Sequence, residues 1–116
     1  AHVIGCDIDP FCATAVELNA AANGVAVAFE ARDLVGLDEA WDVVLAGDVF
    51  YDRAMAECIL PWLRALRDRG AEVIVGDPGR AYLPREALEE LAVYQVPVTR
   101  ALEDAEVKRT TVWRVR

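Results

Sequence analysis

The stretch Val3-Ile4-Gly5-Cys6-Asp7-Ile8-Asp9-Pro10 contains the unit from which the rest of the fold follows. Its apolar run ends in an acid at Asp7, as a buried strand does where it reaches the edge of a sheet. Asp9 and Pro10 follow at once. Because Asp is a favoured N-cap and Pro is favoured at the first helical position, a helix should begin here. The segment therefore predicts a strand followed directly by a helix.

The expected first helix has an apolar face and a clear end. Four apolar residues recur at helical spacing, namely Phe11, Ala15, Leu18 and Ala22. Asn23-Gly24 predicts the C-terminal cap. Residues 25–31 then have the composition of a strand, and the densest apolar run, 41–47, predicts another strand that ends at Asp48.

The second half of the chain repeats this alternation. A helix is predicted over 54–68, with Gly70 as its stop and an apolar face made by Met55, Ile59, Leu63 and Leu66. Residues 71–75 predict a buried strand before the turn Gly76-Asp77-Pro78-Gly79. A short helix is expected over 84–92, an edge strand over 94–99 because of Pro97, and a last strand over 107–115. Alternating strands and helices predict an α/β, Rossmann-like fold with a mostly parallel sheet and helices on both faces.

Composition excludes several classes of protein. The 116 residues are 55% hydrophobic and 28% charged, with a net charge of −8, which excludes intrinsic disorder and favours a single domain. The sequence is acidic and has no cluster of Lys and Arg, which nucleic-acid binding requires, so no nucleic-acid partner is expected. The longest apolar runs, such as 43–46, are far shorter than the ~20 residues of a membrane span, so no membrane association is expected.

The number and spacing of the cysteines favour a reducing compartment and do not predict a metal site. Cys6, Cys12 and Cys58 are odd in number and form no C-x-x-C pair, which favours free thiols in a reducing cytoplasm. His2 is the single histidine. Without a second histidine or a paired cysteine we predict no metal centre.

Acidic residues follow each of the expected parallel strands. Asp7, Asp48 and Asp77 stand at strand ends, and Asp33 lies just past a fourth strand. Ligands of such sheets bind beyond the carboxyl ends of the strands, so these acids predict a shared ligand site. A carboxylate there can accept hydrogen bonds from both ribose hydroxyls, whereas no glycine-rich phosphate loop is present. The pattern favours a nucleoside without phosphates.

Two segments resemble the class I S-adenosylmethionine-dependent methyltransferases. The stretch from Val3 to Pro10 is similar to that family's second conserved segment, and the resemblance implies that Asp7 holds the ribose hydroxyls while Ile8 packs on the adenine ring. Ala31-Arg32-Asp33-Leu34 resembles the next segment. There Asp33 would accept from the adenine amino group and the Leu34 amide would touch the ring. The implied cofactor is S-adenosylmethionine.

Three later segments make the resemblance more specific, to protein lysine methyltransferases. Asp48-Val49-Phe50-Tyr51 is similar to the D-x-x-Y signature of the seven-β-strand protein lysine methyltransferases. Together, three segments look closest to the electron-transfer-flavoprotein β-subunit lysine methyltransferases and their bacterial relatives: Gly47-Asp48-Val49-Phe50-Tyr51-Asp52, Val75-Gly76-Asp77-Pro78-Gly79-Arg80 and Thr110-Thr111-Val112-Trp113. The resemblance implies a protein substrate that bears a lysine, such as the electron-transfer-flavoprotein β subunit.

The same resemblance implies the roles of individual residues. Asp48 and Tyr51 would be catalytic, with Asp48 orienting the amine and Tyr51 shaping the lysine channel. Gly47 would contact the cofactor, and Asp77 and Arg80 would bound the substrate entrance.

The resemblance also implies that residues 1–116 are the C-terminal portion of a single methyltransferase domain. The family's first strand, with its glycine-rich turn, would lie centrally between the strands that here end at Asp7 and Asp48. The fold is therefore expected to be incomplete, which leaves open whether this chain alone is active. Unpaired strand edges in this position are costly and predict a homodimer formed through them.

Two other functions stay open at this point. A non-catalytic, methyltransferase-like binding module would explain the missing glycine-rich turn. A two-component receiver domain would use Asp7 and Asp9 as its acidic pair, Asp48 as phosphoacceptor and Lys108 as its late lysine. However, Lys108 is followed by Arg instead of Pro, and the strand over 71–75 leads into Gly-Asp instead of Ser or Thr.

Overall fold

The computed structural model describes residues 1–99 and 105–116, which form two units, Ala1–Leu37 and Asp38–Arg116. The first unit contains strand β1 (Ile4–Cys6), helix α1 (Cys12–Asn23) and strand β2 (Ala28–Glu30). β1 and β2 pair in parallel with Ile4 opposite Ala28. The predicted order of strand, helix and strand is confirmed, although β2 is shorter than the run over 25–31.

The start of α1 differs from the prediction. Asp9 is not the N-cap, because the helix begins at Cys12 with Phe11 in the cap position and no side-chain cap. The Oδ1 atom of Asp9 instead accepts from the Phe11 amide at 2.9 Å and closes the turn before the helix. The predicted end is confirmed, since Gly24 adopts φ +64° and terminates α1. The predicted apolar stripe is exposed in this unit, and the side chain of Phe11 is 86% exposed.

The second unit contains a four-stranded sheet and a long helix. Its elements are β3 (Val43–Gly47), α2 (Arg53–Arg69), β4 (Glu72–Asp77), a 3₁₀ turn (Arg85–Ala87), β5 (Leu88–Thr99) and β6 (Ala105–Val115). The strand order is β3-β4-β6-β5, with β3 and β4 parallel and β6 antiparallel to both of its neighbours. The α/β class and the mostly parallel sheet are confirmed, because β3, β4 and β5 run in one direction and β6 is reversed between β4 and β5.

Helix α2 forms where the sequence places it and covers the core of this unit. Asp52 accepts from the Met55 amide at 2.7 Å and caps the start, and Gly70 at φ +114° ends it. The apolar face predicted from the 3.6-residue period is buried at Ile59, Leu63 and Leu66. Opposite it, the buried side chains of the sheet include Val73, Val75, Leu88 and Val115.

The helix predicted over 84–92 is wrong beyond its first turn. Residues 85–87 are helical, but β5 begins at Leu88, which pairs opposite Val115. The local composition favours a helix, and a partner strand more than twenty residues later overrides that preference. The prediction of an edge strand at Pro97 is confirmed, because β5 is the last strand of the sheet.

The antiparallel β6 also bears on the receiver alternative. A doubly wound receiver fold has a parallel sheet, whereas β6 runs against β4 and β5. Lys108 lies inside β6, opposite Val96, and not in a loop at the carboxyl edge. The receiver hypothesis is therefore wrong.

Candidate active site

The chain leaves β3 through a strained residue at Asp48. The Asp48 amide donates to the Gly76 carbonyl at 2.9 Å, which extends the β3–β4 pairing by one position. Asp48 then adopts φ +50°, a left-handed conformation that residues other than glycine rarely occupy. Strain of this kind persists only where the surroundings impose it and is concentrated at functional sites. Asp48 is thus held at the carboxyl edge of the sheet, as the sequence predicts.

The Asp48 carboxylate is bound by Arg80. Arg80 Nε donates to Asp48 Oδ1 at 2.8 Å and Nη2 donates to Oδ2 at 2.7 Å, so the ion pair is bidentate. These hydrogen bonds are the main cause that lowers the pKa of Asp48, against the opposing effect of partial burial, and the charge of Lys108 adds to the lowering. Both side chains are nearly half exposed. Asp48 is therefore a solvent-accessible carboxylate that stays ionised.

Asp77 holds the loop that carries Arg80. Its side chain is 1% exposed, and its Oδ2 accepts from the amides of Gly79 at 2.7 Å and Arg80 at 2.8 Å. Gly79 adopts φ +100°, which the Asp-Pro-Gly turn requires. Asp77 thus acts on Asp48 indirectly, because it fixes the backbone from which the Arg80 guanidinium reaches the carboxylate.

In the segment after Asp48, an exposed tyrosine lies between a buried phenylalanine and the residue that caps α2. Phe50 is fully buried and Asp52 caps α2, whereas Tyr51 between them is 52% exposed. Tyr51 is therefore not a packed core aromatic, and its phenol stands on the segment that joins Asp48 to α2. Asp48 and Tyr51 lie on the same short loop, between the end of β3 and the start of α2. Gly47 ends β3 one position before Asp48.

The first unit presents two carboxylates at one edge of its small sheet. Asp7 follows β1, where its Oδ1 accepts from the Asp9 amide at 2.9 Å, and Asp33 follows β2, where its Oδ1 accepts from the Val35 amide at 2.9 Å. Ile8 is largely exposed and Leu34 is half-buried. Desolvation, and after it the charge of the Asp7 carboxylate and its hydrogen bond, raise the pKa of the Cys12 thiol. Each carboxylate organises its own turn through one oxygen.

The hydrogen-bond acceptors at this edge fit the nucleoside part of S-adenosylmethionine. Two exposed carboxylates can accept from hydroxyl and amino groups, and the exposed Ile8 side chain between them in sequence offers an apolar surface. Asp7 and Asp33 lie in one unit and Asp48 and Asp77 in the other, so the convergence of all four acids stays a prediction. Over residues 1–99 and 105–116 no cluster of ligating side chains suits a metal ion.

Sequence reasoning missed three contributions to the site. It placed Arg80 at the substrate entrance but not on Asp48, and it placed Asp77 at the same entrance without predicting that Asp77 is buried. It also gave Thr111 and Trp113 no part in a site, although both line a cavity beside Asp77. The Asp-Pro-Gly-Arg turn was the available signal, since an Asp before such a turn commonly accepts the amides that follow it.

Comparison with known proteins identifies relatives for nearly the whole chain. The electron transfer flavoprotein beta subunit lysine methyltransferases of Danio rerio and Xenopus laevis are each 34% identical over 97% of the chain, and the human protein is 26% identical over 97%. The chain spans about half the length of these relatives, 46% and 48% for the first two. No family model matches. The resemblance carried by the sequence motifs is confirmed.

Solved structures with a similar fold include one methyltransferase and TehB. The magnesium protoporphyrin IX methyltransferase of Synechocystis with bound SAM superposes with a TM-score of 0.57 at 15% identity, over 100% of this chain and 60% of that one. TehB of Haemophilus influenzae gives 0.54 at 12% identity, over 99% and 50%. These matches show the Rossmann-like methyltransferase fold and its incompleteness here. None of the helices in the described part of the chain has the length and apolar character needed to cross a bilayer.

Proposed function

Because the chain is homologous over 97% of its length to the electron transfer flavoprotein beta subunit lysine methyltransferases, we propose that the protein is an S-adenosylmethionine-dependent protein lysine N-methyltransferase. The observation that supports this most directly is the exposed, ionised Asp48 at the carboxyl edge of β3, followed by the displayed Tyr51. The proposed cofactor is S-adenosylmethionine, which supplies an electrophilic methyl group when bound.

The residues of the first unit would hold the nucleoside. Asp7 would accept from the ribose hydroxyls and Asp33 from the adenine amino group, while Ile8 and Leu34 border the ring. The resemblance also implies a cofactor contact for Gly47, which belongs to the second unit. The carboxylates that follow β1 and β2 support this assignment, since such acids bind nucleosides at the carboxyl edge of parallel sheets.

The protonation state of the substrate lysine determines what Asp48 would have to do. A free lysine has a pKa near ~10.4 and is protonated at neutral pH, whereas only the neutral amine attacks a methyl group. The substrate ammonium would first release one proton to solvent. The neutral amine would then form an N–C bond as the methyl–sulfur bond breaks, and the methylated lysine would leave as an ammonium ion. An ionised Asp48 would orient the amine and stabilise the positive charge that develops on nitrogen.

Arg80 would control access to that carboxylate. Each oxygen of Asp48 accepts one hydrogen bond from the guanidinium and keeps a further lone pair, so an incoming amine can share the carboxylate with Arg80 or replace one of its contacts. Because the pair is nearly half exposed, its opening costs little. Tyr51 would line the lysine channel and offer one hydrogen bond through its hydroxyl. Asp77 would act at the substrate entrance through the Arg80 loop.

We extend the proposal to partners and compartment. The electron transfer flavoprotein β subunit is the substrate named for the relatives and is the first candidate here.

The thiols of Cys6, Cys12 and Cys58 are free, which supports a reducing compartment such as the cytoplasm. Over the described residues β3 pairs only with β4, so its other edge is open to a further strand, and a second copy of the chain is one candidate.

The decisive experiment is Asp48→Asn in the full-length protein. Mass spectrometry of the flavoprotein β subunit incubated with S-adenosylmethionine should show lysine methylation by the wild type and a loss of at least about 100-fold in the variant. Asp68→Asn, an exposed carboxylate on α2, is the matched control and should leave the rate unchanged. Methylation by Asp48→Asn at the wild-type rate would remove Asp48 from the mechanism. Binding of S-adenosylhomocysteine without any methylation by the wild type would favour the non-catalytic module.

A further inference from the structure

A cavity lies at the carboxyl end of β4, beside the loop that follows Asp77. Its volume is about 290 Å³, and its walls come from the end of β4, the following loop, and strands β5 and β6. Asp77, Gly79 and Trp113 line it, whereas Asp48 and Tyr51 do not. This size is close to the lower end of small-molecule sites and admits a group of several heavy atoms.

Two of the residues that line this cavity each carry a buried polar atom without a hydrogen-bond partner among the described residues. They are Asp77 Oδ1, which only accepts, and Trp113 Nε1, which only donates. Asp77 pairs opposite Thr111 and Trp113 opposite Val75, so the two side chains are diagonal neighbours on one face of the sheet. Buried groups of this kind nearly always have a partner. Their pairing in one cavity indicates a ligand that both donates and accepts.

The charges around the cavity restrict that ligand further. Asp77 and Glu90 contribute two negative charges, and Arg85 and Arg109 contribute two positive charges. The formal charge of the lining is therefore zero, which favours a neutral polar group over an anion such as phosphate or a free cation. A carboxamide meets all of these conditions, because its N–H can donate to Asp77 Oδ1 while its C=O accepts from Trp113 Nε1.

We propose that this cavity is a binding site for a neutral amide group, with Asp77 and Trp113 as its acceptor and donor. The inference rests on the proposed function for its biological meaning: the amide would belong to the protein substrate, near the methylated lysine. Asp77, Pro78 and Gly79 line the cavity, and the next residue of this loop, Arg80, binds Asp48. The amide comes either from the substrate main chain or from an Asn or Gln side chain.

The test is an NMR titration that follows the indole N–H signals of Trp41, Trp62 and Trp113, assigned with Trp113→Phe. N-methylacetamide represents a main-chain amide, propionamide a side-chain amide, and N,N-dimethylacetamide an acceptor without an N–H. We expect a saturable shift of the Trp113 signal with half-saturation on the order of 10 mM, as for a small fragment. The amide with an N–H should bind about five- to tenfold more tightly than dimethylacetamide. Whichever of the first two binds better identifies the source.

A matched variant assigns the acceptor. In Asp77→Asn the amide oxygen can keep the Gly79 and Arg80 contacts, while the NH₂ group replaces the acceptor in the cavity, so N-methylacetamide should lose its advantage over dimethylacetamide. The amide region of the ¹⁵N spectrum reports whether the variant is folded.

The proposal is overturned if the Trp113 signal does not move, since the cavity then holds water only, or if all three probes shift it equally. The probes contain neither lysine nor cofactor, so either result leaves the methyltransferase proposal untouched.

Discussion

The Asp48 carboxylate and the Arg80 guanidinium, 32 positions apart in the chain, are joined by two parallel hydrogen bonds of 2.8 and 2.7 Å. Bidentate pairs of this geometry are the strongest of the ion pairs available to a carboxylate. A group proposed to meet a lysine side chain thus already holds a cation. The pair connects the ends of two neighbouring parallel strands, which is where α/β sheets bind their ligands.

Arg80→Ala should raise the pKa of Asp48 toward its ordinary value near ~3.9, because the hydrogen bonds that lower it are removed. With a lowered pKa in the folded state, the pair stabilises the fold at neutral pH and loses that effect as pH falls through the lowered pKa. Since the pair is nearly half exposed, its contribution is below about 1 kcal/mol. Carboxyl ¹³C shifts followed against pH measure the change.

Arg80→Lys should restore part of the lowering, and Arg64→Ala on the exposed face of α2 should leave the pKa of Asp48 unchanged. An unaltered titration of Asp48 in Arg80→Ala would mean that the two side chains are not paired in solution.

Asp77→Ala should destabilise the second unit by about 2–3 kcal/mol, because the amides of Gly79 and Arg80 lose their buried acceptor. Asp77→Asn should cost less, since one amide oxygen can accept from both. Urea unfolding measures the difference. Asp68→Ala, an exposed carboxylate, is the control and should stay within about 0.5 kcal/mol. Equal stabilities of Asp77→Ala and Asp68→Ala would show that the loop does not depend on this carboxylate.

Leu63→Ala should cost about 2–5 kcal/mol, because Leu63 is fully buried between α2 and the sheet and its truncation leaves a cavity. Leu45→Ala in β3 is the matched substitution at a side chain that is 76% exposed, and should change the free energy of unfolding by less than about 0.5 kcal/mol. Thermal or urea unfolding compares the two. A large cost at Leu45 would indicate that this face of β3 is covered in solution.

The parts of the fold that the sequence predicts are those with local signals. Helix α2 combines an apolar period at Ile59, Leu63 and Leu66 with the cap at Asp52 and the stop at Gly70, so all of its signals lie inside the element. In residues 88–92 the local signal favours a helix, whereas the structure has a strand. Their strand exists because Leu88 meets Val115 and Glu90 meets Trp113, and pairing between distant segments is invisible to a local pattern.

The same distinction divides the site. The position of Asp48 after an apolar strand is a local signal, and so is the Asp-Pro-Gly turn. The Arg80–Asp48 pair depends on the parallel pairing of β3 with β4, which aligns Gly47 with Gly76 and so brings the following loops together. The burial of Asp77 depends on antiparallel pairing with β6. Neither pairing can be derived from the residues on either side of it.

Tyr51→Phe should separate a chemical role from a structural one. The ring stays and only the hydroxyl is removed from a side chain that is 52% exposed, so the free energy of unfolding should change by less than about 0.5 kcal/mol. If the hydroxyl bonds the substrate amine, the methylation rate of the full-length protein should fall about tenfold, the value of one hydrogen bond. Tyr94→Phe is the matched control, since Tyr94 is 56% exposed on the edge strand β5, remote in sequence from Asp48. A normal rate for Tyr51→Phe would limit Tyr51 to shaping the channel with its ring.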